Sequence, residues 1–434
     1  MTSATGNKNF YLAWFMLLFS FFMPAILLNT VGAVILNLVN EMHVSMGPAS
    51  WLEAFKDMAI LISALILSSF LPSFGYKKSL IVGIILELIG CLIIAMHPSI
   101  ITARIFFVFC GIGFGLIKPA VYASVGLFFD DPSKHAGFVS LMEGVFMGGC
   151  LLGMWIYSFF VGLGTWTTAF WCFAIMCVVN LLVVFFVKLD ESKIAHKITS
   201  PADELKKDIK GMGSLLQKGT VWVFIVMTFF YVFIEQGITT WLPTYNNHVL
   251  HISDELSLQV TSLFPAALCI GRFAGAAVMK KIKWVTLLFF SMIVAFVILV
   301  IAIFMSQHVN AYAIAHRILV TNWAELPLVA YLIPLTGILI APIYPTLCST
   351  IISAQKLRIH SAMAGLIMVF SALGGTTGSR IVGSLFEIFG GLTAIKAPLI
   401  PIVIIFILLI PYYKMVNKAI KKRQEEDTAE IQGH

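Results

Sequence analysis

The stretch GFGLIKPAVYAS, residues 113–124, sets one lysine, Lys118, inside a long apolar run. A charged side chain deep in a bilayer is costly, so what surrounds this stretch decides what kind of chain it belongs to. The apolar run extends over 102–129, long enough to cross membrane hydrocarbon as a helix rising about 1.5 Å per residue. Comparable runs lie at 14–39, 51–72, 79–97, 136–162, 166–188, 220–247, 257–279, 284–306, 327–353, 361–388 and 395–416, giving twelve spans. The 434 residues are 59% hydrophobic and only 11% charged, with a mean hydropathy of +0.96. A soluble core of this length cannot hide so much apolar side chain, and the sequence predicts an all-α integral membrane protein. The first run is too long for a signal-peptide core and lacks a small-residue cleavage site, so it is expected to stay as the first span.

Lysine and arginine orient the bundle. With the N-terminus inside, the inner segments hold Lys8, Lys77, Lys78, Lys134, the cluster from Lys193 to Lys218, Lys280, Lys281, Lys283, Lys356, Arg358 and the run from Lys418 to Arg423. The outer loops then hold only Arg317, with Lys396 at a boundary. This asymmetry predicts a multi-pass protein of the cell (inner) membrane with both termini cytoplasmic. The net charge of +7 then reflects topology and does not argue for nucleic acid. The tail KKRQEEDTAEIQGH reads as a disordered polar end.

Cysteine and histidine exclude several classes. Cys91, Cys110, Cys150, Cys172, Cys177, Cys269 and Cys348 all lie in apolar spans, with no CxxC pair and no adjoining histidine, so neither a disulfide framework nor a zinc site is expected. The histidines fall in loops, at span ends or in the tail, which argues against an intramembrane histidine relay. There is no Walker loop and no HExxH motif. The sequence therefore predicts no enzyme, no metal and no cofactor.

The one long inner connection, DESKIAHKITSPADELKKDIKGMGSLLQKGT at 190–220, divides the spans six and six. The expected organisation is an N-terminal half over 1–189, a cytoplasmic linker over 190–219, a C-terminal half over 220–416 and a tail over 417–434. The halves echo one another. FGYKKSLIVG after the second span has a counterpart in MKKIKWVTLL after the eighth, and LIKPAVY at 116–122 matches LIAPIY at 339–344, where Ala341 stands in place of Lys118. The lysine is an addition to a shared scaffold.

Two six-helix halves, a long central loop and basic turns after helices 2 and 8 resemble the major facilitator superfamily over nearly the whole chain. GIGFGLIKPA in helix 4, FFYVFIEQGITTWLPTY in helix 7, GRFAG in helix 8 and APIYPTL in helix 10 are similar to the branch that includes fucose permease. The match has departures. The acidic-basic signature between helices 2 and 3 is reduced to Gly75, Tyr76, Lys77 and Lys78 without an aspartate. Arg104 falls where the helix 4 arginine of the family pattern belongs, but the glycine after it arrives late, at Gly111. Helix 5, EGVFMGGCLLG, lacks the proline of the antiporter motif, which favours uptake over drug efflux.

The ionisable residues within spans are Glu53, Lys56, Asp57, Glu87, Arg104, Lys118, Glu143, Glu235, Arg272, Arg380 and Glu387. The resemblance places helix 5 beside helix 8 and helix 2 beside helix 11. It therefore implies two gating pairs, Glu143 with Arg272 inside and Asp57 with Arg380 outside, the alternative being pairs within one half or a reach toward headgroups. Glu87 and Arg104 are assigned to packing. Lys118 and Glu235 sit nearer the midplane, on helices that line the central cavity in the superfamily. A wet cavity lowers the cost of a charge, and Lys118 is expected to bind the negative group of a solute. Its alternative is a structural pair with Glu143 or another carboxylate. Glu235 is the expected proton-coupling site, with Glu143 the next candidate. Asn29, Tyr122 and Tyr344 are further candidate solute contacts, with Asn37, Trp241 and Tyr245 as polar and aromatic surface around them. Pro119, Pro342 and Pro345 should bend helices 4 and 10, and Pro243 should interrupt helix 7.

The sequence thus predicts a secondary active transporter, monomeric and bilayer-embedded. Its partners are a proton and a small anionic or zwitterionic solute such as an organic acid, an amino acid or a carboxylate chelator. An efflux antiporter and a non-transporting receptor of the same fold are the rival readings.

Overall fold

The structure is a computed structural model that describes residues 4–125, 127, 132–187, 189, 191, 201–356 and 359–432. Span 1 is α1 (Ala4–Leu28) and α2 (Val31–Asn40), parted at Asn29 and Thr30, and a single turn, α3 (Met46–Ala49), follows. Spans 2 to 6 are α4 (Leu52–Phe74), α5 (Tyr76–Met96), α6 (Ile100–Val125), α7 (Pro132–Gly162) and α8 (Thr168–Phe186). The expected linker contains α9 (Pro201–Leu215). Span 7 is α10 (Gly219–His248), span 8 is α11 (Asp254–Thr261) with α12 (Leu263–Met279), and span 9 is α13 (Trp284–His316). Span 10 is α14 (Val329–Ile340) with α15 (Ile343–Ser353), span 11 is α16 (His360–Phe389), and the short α17 (Gly391–Ala394) leads into span 12, α18 (Leu399–Gln432). Among the described residues eleven spans are long and apolar enough to cross a membrane. The twelfth is α4, whose first turns carry Glu53, Lys56 and Asp57. The protein is a multi-pass membrane protein.

Two expectations are corrected by this description. The tail is not a coil, because α18 runs through Gln432, continued by strong helix formers and an i,i+4 pair of Lys421 Nζ with Glu425 Oε1 at 3.9 Å. Pro243, expected to interrupt helix 7, lies inside a helix that continues through it, and helix 4 likewise continues through Pro119. Helix 10 does break, at Ala341 and Pro342. A proline withdraws the donor to the carbonyl four residues back, and Pro342 does so for Ile338, whose carbonyl Gly271 of α12 packs against.

The chain forms two compact units, Met1–Ala202 with Ser253–Ser262, and Asp203–Ile252 with Leu263–His434. Each is held by the same device. In lipid, helices gain little from burying apolar surface and associate by close van der Waals contact, which small residues one turn apart permit. In the first unit Gly111 and Gly115 of α6 face α4, where a Cβ on Gly111 would lie 2.7 Å from the Lys56 carbonyl oxygen. Gly149 and Gly153 of α7 face α1, where a Cβ on Gly149 would lie 2.8 Å from the Phe22 carbonyl oxygen. In the second unit Gly271 and Gly275 of α12 face the helix 10 segment, and Gly374 and Gly378 of α16 face Phe229 and Phe233 of α10. Helix pairs 2–4 and 1–5 of the first unit thus have counterparts in pairs 8–10 and 7–11 of the second. Gly378→Leu should lower stability by about 1–3 kcal/mol through overpacking, read as a lower melting temperature in detergent. Gly148→Ala, at an open position, should melt like the parent. A Gly378→Leu protein with the parental melting temperature would contradict this packing.

The basic turn between α4 and α5 is completed from elsewhere in its unit. Gly75 has a left-handed φ of 95°. Glu191 Oε1 accepts from the Lys77 backbone N–H at 2.6 Å, supplying the carboxylate that the turn itself lacks. Lys77 Nζ donates to the carbonyls of Phe185 and Val187 at 3.0 and 2.8 Å, capping the end of α8.

Candidate functional site

In the first unit the candidates gather on α6, α7 and the break in helix 1. Lys118 and Tyr122 are four residues apart on α6, so they share a face. Lys118 is exposed. Its ammonium lies 5.6 Å from the Phe114 ring centroid and 5.7 Å from that of Tyr122. These are cation–π distances. Among the described residues Lys118 forms no ion pair, and in particular none with Glu143 within 4.0 Å. Glu143, half-buried on α7, instead accepts a hydrogen bond from the Tyr122 hydroxyl. The rings beneath are packed firmly: Phe21 meets Phe114 at 6.2 Å, Tyr122 at 5.7 Å and Phe146 at 5.1 Å. Asn29, at the break in helix 1, donates from Nδ2 to the Ala25 carbonyl at 2.8 Å and lies 2.9 Å from Cys150 Sγ of α7. The Asn29 amide thus bonds back to the carbonyl one turn earlier, beside the break.

In the second unit the centre is Glu235 of α10. Arg272 Nη2 of α12 donates to its Oε1 at 3.4 Å, with the two side chains 33% and 19% exposed. Arg272 thus has a carboxylate partner within its own unit, a pairing that sequence reasoning did not identify. Tyr231, one turn before Glu235, is fully buried. Its ring stacks on Tyr344 at 5.5 Å, and the Tyr344 hydroxyl lies 3.1 Å from Ser371 Oγ. One ionisable pair therefore sits in a wall of tyrosine.

Most of the other intramembrane charges have local partners or deep burial. Lys56, only 6% exposed, bonds Glu53 and lies 3.6 Å from Asp57 Oδ1, so it does not reach toward headgroups. Arg104 lies over the Phe55 ring at 5.4 Å. Glu87 is fully buried, and neither of its oxygens has a hydrogen-bond partner among the described residues. Glu387 is exposed on α16. On the same helix the Arg380 carbonyl accepts from Ser384 at 2.9 Å.

Three residues expected near solute are occupied in packing. Asn37 is fully buried and donates to the Ala33 carbonyl at 2.9 Å and to the Tyr157 hydroxyl at 3.3 Å. Trp241 donates from Nε1 to the Ser379 carbonyl at 2.8 Å, and Tyr245 bonds Ser306. Trp241 and Tyr245 line a small apolar cleft that none of the candidate charges borders.

At the far end of the first unit, Asn40 Nδ2 donates to Asp254 Oδ1 at 3.0 Å. Neighbouring Glu41 is held above the usual carboxylate range by burial, aided by the Asp254 charge and opposed by a hydrogen bond from Trp166. A raised carboxylate pKa means the fold binds the proton more tightly than the free chain. Acid therefore favours the folded form at this end, and that contribution fades as pH rises through that value.

A sequence model described as Major Facilitator Superfamily matches residues 10–315. Among solved structures, that of the nucleoside transporter NupG aligns over 92% of this chain and 98% of its own, at 11% identity and a TM-score of 0.69. A peptide transporter, POT, in complex with sulfate aligns over 93% and 95%, at 14% identity and a TM-score of 0.66. A bacterial homologue of the human lysosomal transporter Spinster, inward-facing and unoccupied, aligns over 95% and 97%, at 12% identity and a TM-score of 0.66. No curated protein gives a significant match. At these identities the likeness is one of fold.

Proposed function

The chain belongs to the Major Facilitator Superfamily, and from that premise we propose that it is a proton-coupled secondary transporter importing a small anionic or zwitterionic solute by alternating access. The observation that carries this reading is the ammonium of Lys118. It is exposed, it has ring faces for neighbours and it has no carboxylate among the described residues. An intramembrane cation needs a counter-charge, and a solute anion supplies it. Tyr122 lies beside that anchor on the same helix face.

Glu235 carries the proton. When ionised it holds Arg272 by a charge-assisted bond, and when protonated it weakens that hold, so proton binding and the freedom of Arg272 are linked. Glu143, already bonded to a tyrosine hydroxyl, is less suited to that exchange. The excess of Lys and Arg in the segments read as inner favours cytoplasmic termini in the cell membrane.

The experiment is uptake into liposomes reconstituted with the purified protein, using labelled organic acids and amino acids under an imposed pH gradient. An acidic exterior should drive accumulation that a protonophore abolishes, with sodium making no difference. Uptake driven by sodium with no response to the pH gradient would overturn the proton reading. Solute binding without flux would favour the receptor.

A further inference from the structure

Lys118 and Glu143 have opposite charges on neighbouring helices of one unit, yet they are not joined. Tyr122 stands between them, its ring under the Lys118 ammonium at 5.7 Å and its hydroxyl on one oxygen of Glu143. The second Glu143 oxygen has no hydrogen-bond partner among the described residues. A cation and a carboxylate held apart by one aromatic ring match a ligand that has its own two charges a short way apart. Resting on the anion-anchor reading of Lys118, we propose that the solute is a zwitterion of the α-amino acid type. Its carboxylate lies on Lys118 and its ammonium on the free oxygen of Glu143.

The geometry supports this over a simple anion. A plain carboxylate placed on Lys118 would stand close to the Glu143 charge with nothing to offset it, a repulsion that the ammonium of a zwitterion turns into an attraction. Tyr122 contributes by keeping the two protein charges from cancelling each other, so that both remain available to the ligand. The part-exposed ring of Phe146, 5.7 Å from Phe114, offers apolar surface next to the pair for the solute's side group.

The test uses purified full-length protein and matched probes: an α-amino acid, the same acid without its amino group, and its methyl ester. Leucine, phenylalanine, serine and glutamate give four such sets. Binding is read by thermal shift and by calorimetry at millimolar probe. At least one amino acid should bind about tenfold or more tightly than both its deaminated and its esterified forms. In Glu143→Gln that preference over the deaminated acid should collapse, with the deaminated acid binding no worse than before. A cooperative melt of Glu143→Gln like that of the parent shows that the variant folds, and Glu143→Asp, which keeps the carboxylate, should retain part of the preference.

Deaminated acids that bind as well as the amino acids, or a preference that survives Glu143→Gln, would overturn the zwitterion inference. The anion anchor would still stand if Lys118→Met weakened the deaminated acids. Absence of binding by every amino acid in the panel would also overturn the inference. If Lys118→Met left deaminated acids bound as before, the anchor itself would fall.

Discussion

Glu235→Gln should abolish accumulation of solute against its gradient while leaving exchange of internal for external solute measurable. The glutamine keeps the shape of a protonated glutamate, so the loaded carrier can still turn over. It has no proton to release, so the step in which the empty carrier reorients deprotonated is lost. Arg272 should also lose its ionic partner, since a neutral amide holds a guanidinium less firmly than a carboxylate 3.4 Å away does. Net uptake under an inward proton gradient and counterflow in its absence separate the two activities in one preparation of proteoliposomes. Full pH-driven uptake by Glu235→Gln would move the coupling site elsewhere, with Glu143 the next residue to test.

The second large effect concerns affinity. A charge-assisted hydrogen bond contributes about 1.5–3 kcal/mol, so Lys118→Met should raise the half-saturation concentration for uptake by about ten- to a hundredfold. Lys118→Arg should fall between the two, because it keeps the charge and changes the shape of the donor. Maximal rate at saturating solute should change less than the half-saturation concentration, since the bond is made in the bound state as well as during translocation. A Lys118→Met protein with parental half-saturation would remove the lysine from solute recognition.

Much of the fold can be read from hydropathy, because bilayer thickness imposes one length on every span and leaves little room for irregular backbone in lipid. Span 2 is legible despite Glu53, Lys56 and Asp57, since these cluster in its first turns and leave the rest apolar. The break at Asn29 and Thr30 is less visible. No proline or glycine marks it, and the side chain that supports it, the Asn29 amide, bonds a residue 121 positions away. The glycine pairs at 111 and 115, 149 and 153, 271 and 275, and 374 and 378 stand in the sequence at helical spacing. They are the strongest packing signal that reading by hydropathy alone overlooks.

Side-chain partners are harder to read. Helix adjacency in the superfamily suggests Arg272 with Glu143, yet within the second unit Arg272 has Glu235, and Glu143 has Tyr122. Which of several carboxylates an arginine meets depends on helix rotation, and one residue of slip turns a side chain by about 100°. Periodicity alone does not fix that angle. Lys118 was legible as an anomaly because cost in lipid singles out charge regardless of partner. Its ring neighbours Phe114 and Tyr122 are at four-residue spacing and were open to reading from the sequence.

The central claim is that Lys118 awaits a solute and is not half of a structural pair. It is tested most directly by the melting temperatures of solute-free Lys118→Met, Glu143→Gln and the double variant. Removing an exposed ammonium that has no carboxylate partner should leave melting close to that of the parent, and the double variant should show no recovery beyond the sum of its parts. A sharp fall in Lys118→Met that Glu143→Gln restores in the double variant would instead reveal a buried pair broken and then removed, and would contradict the account.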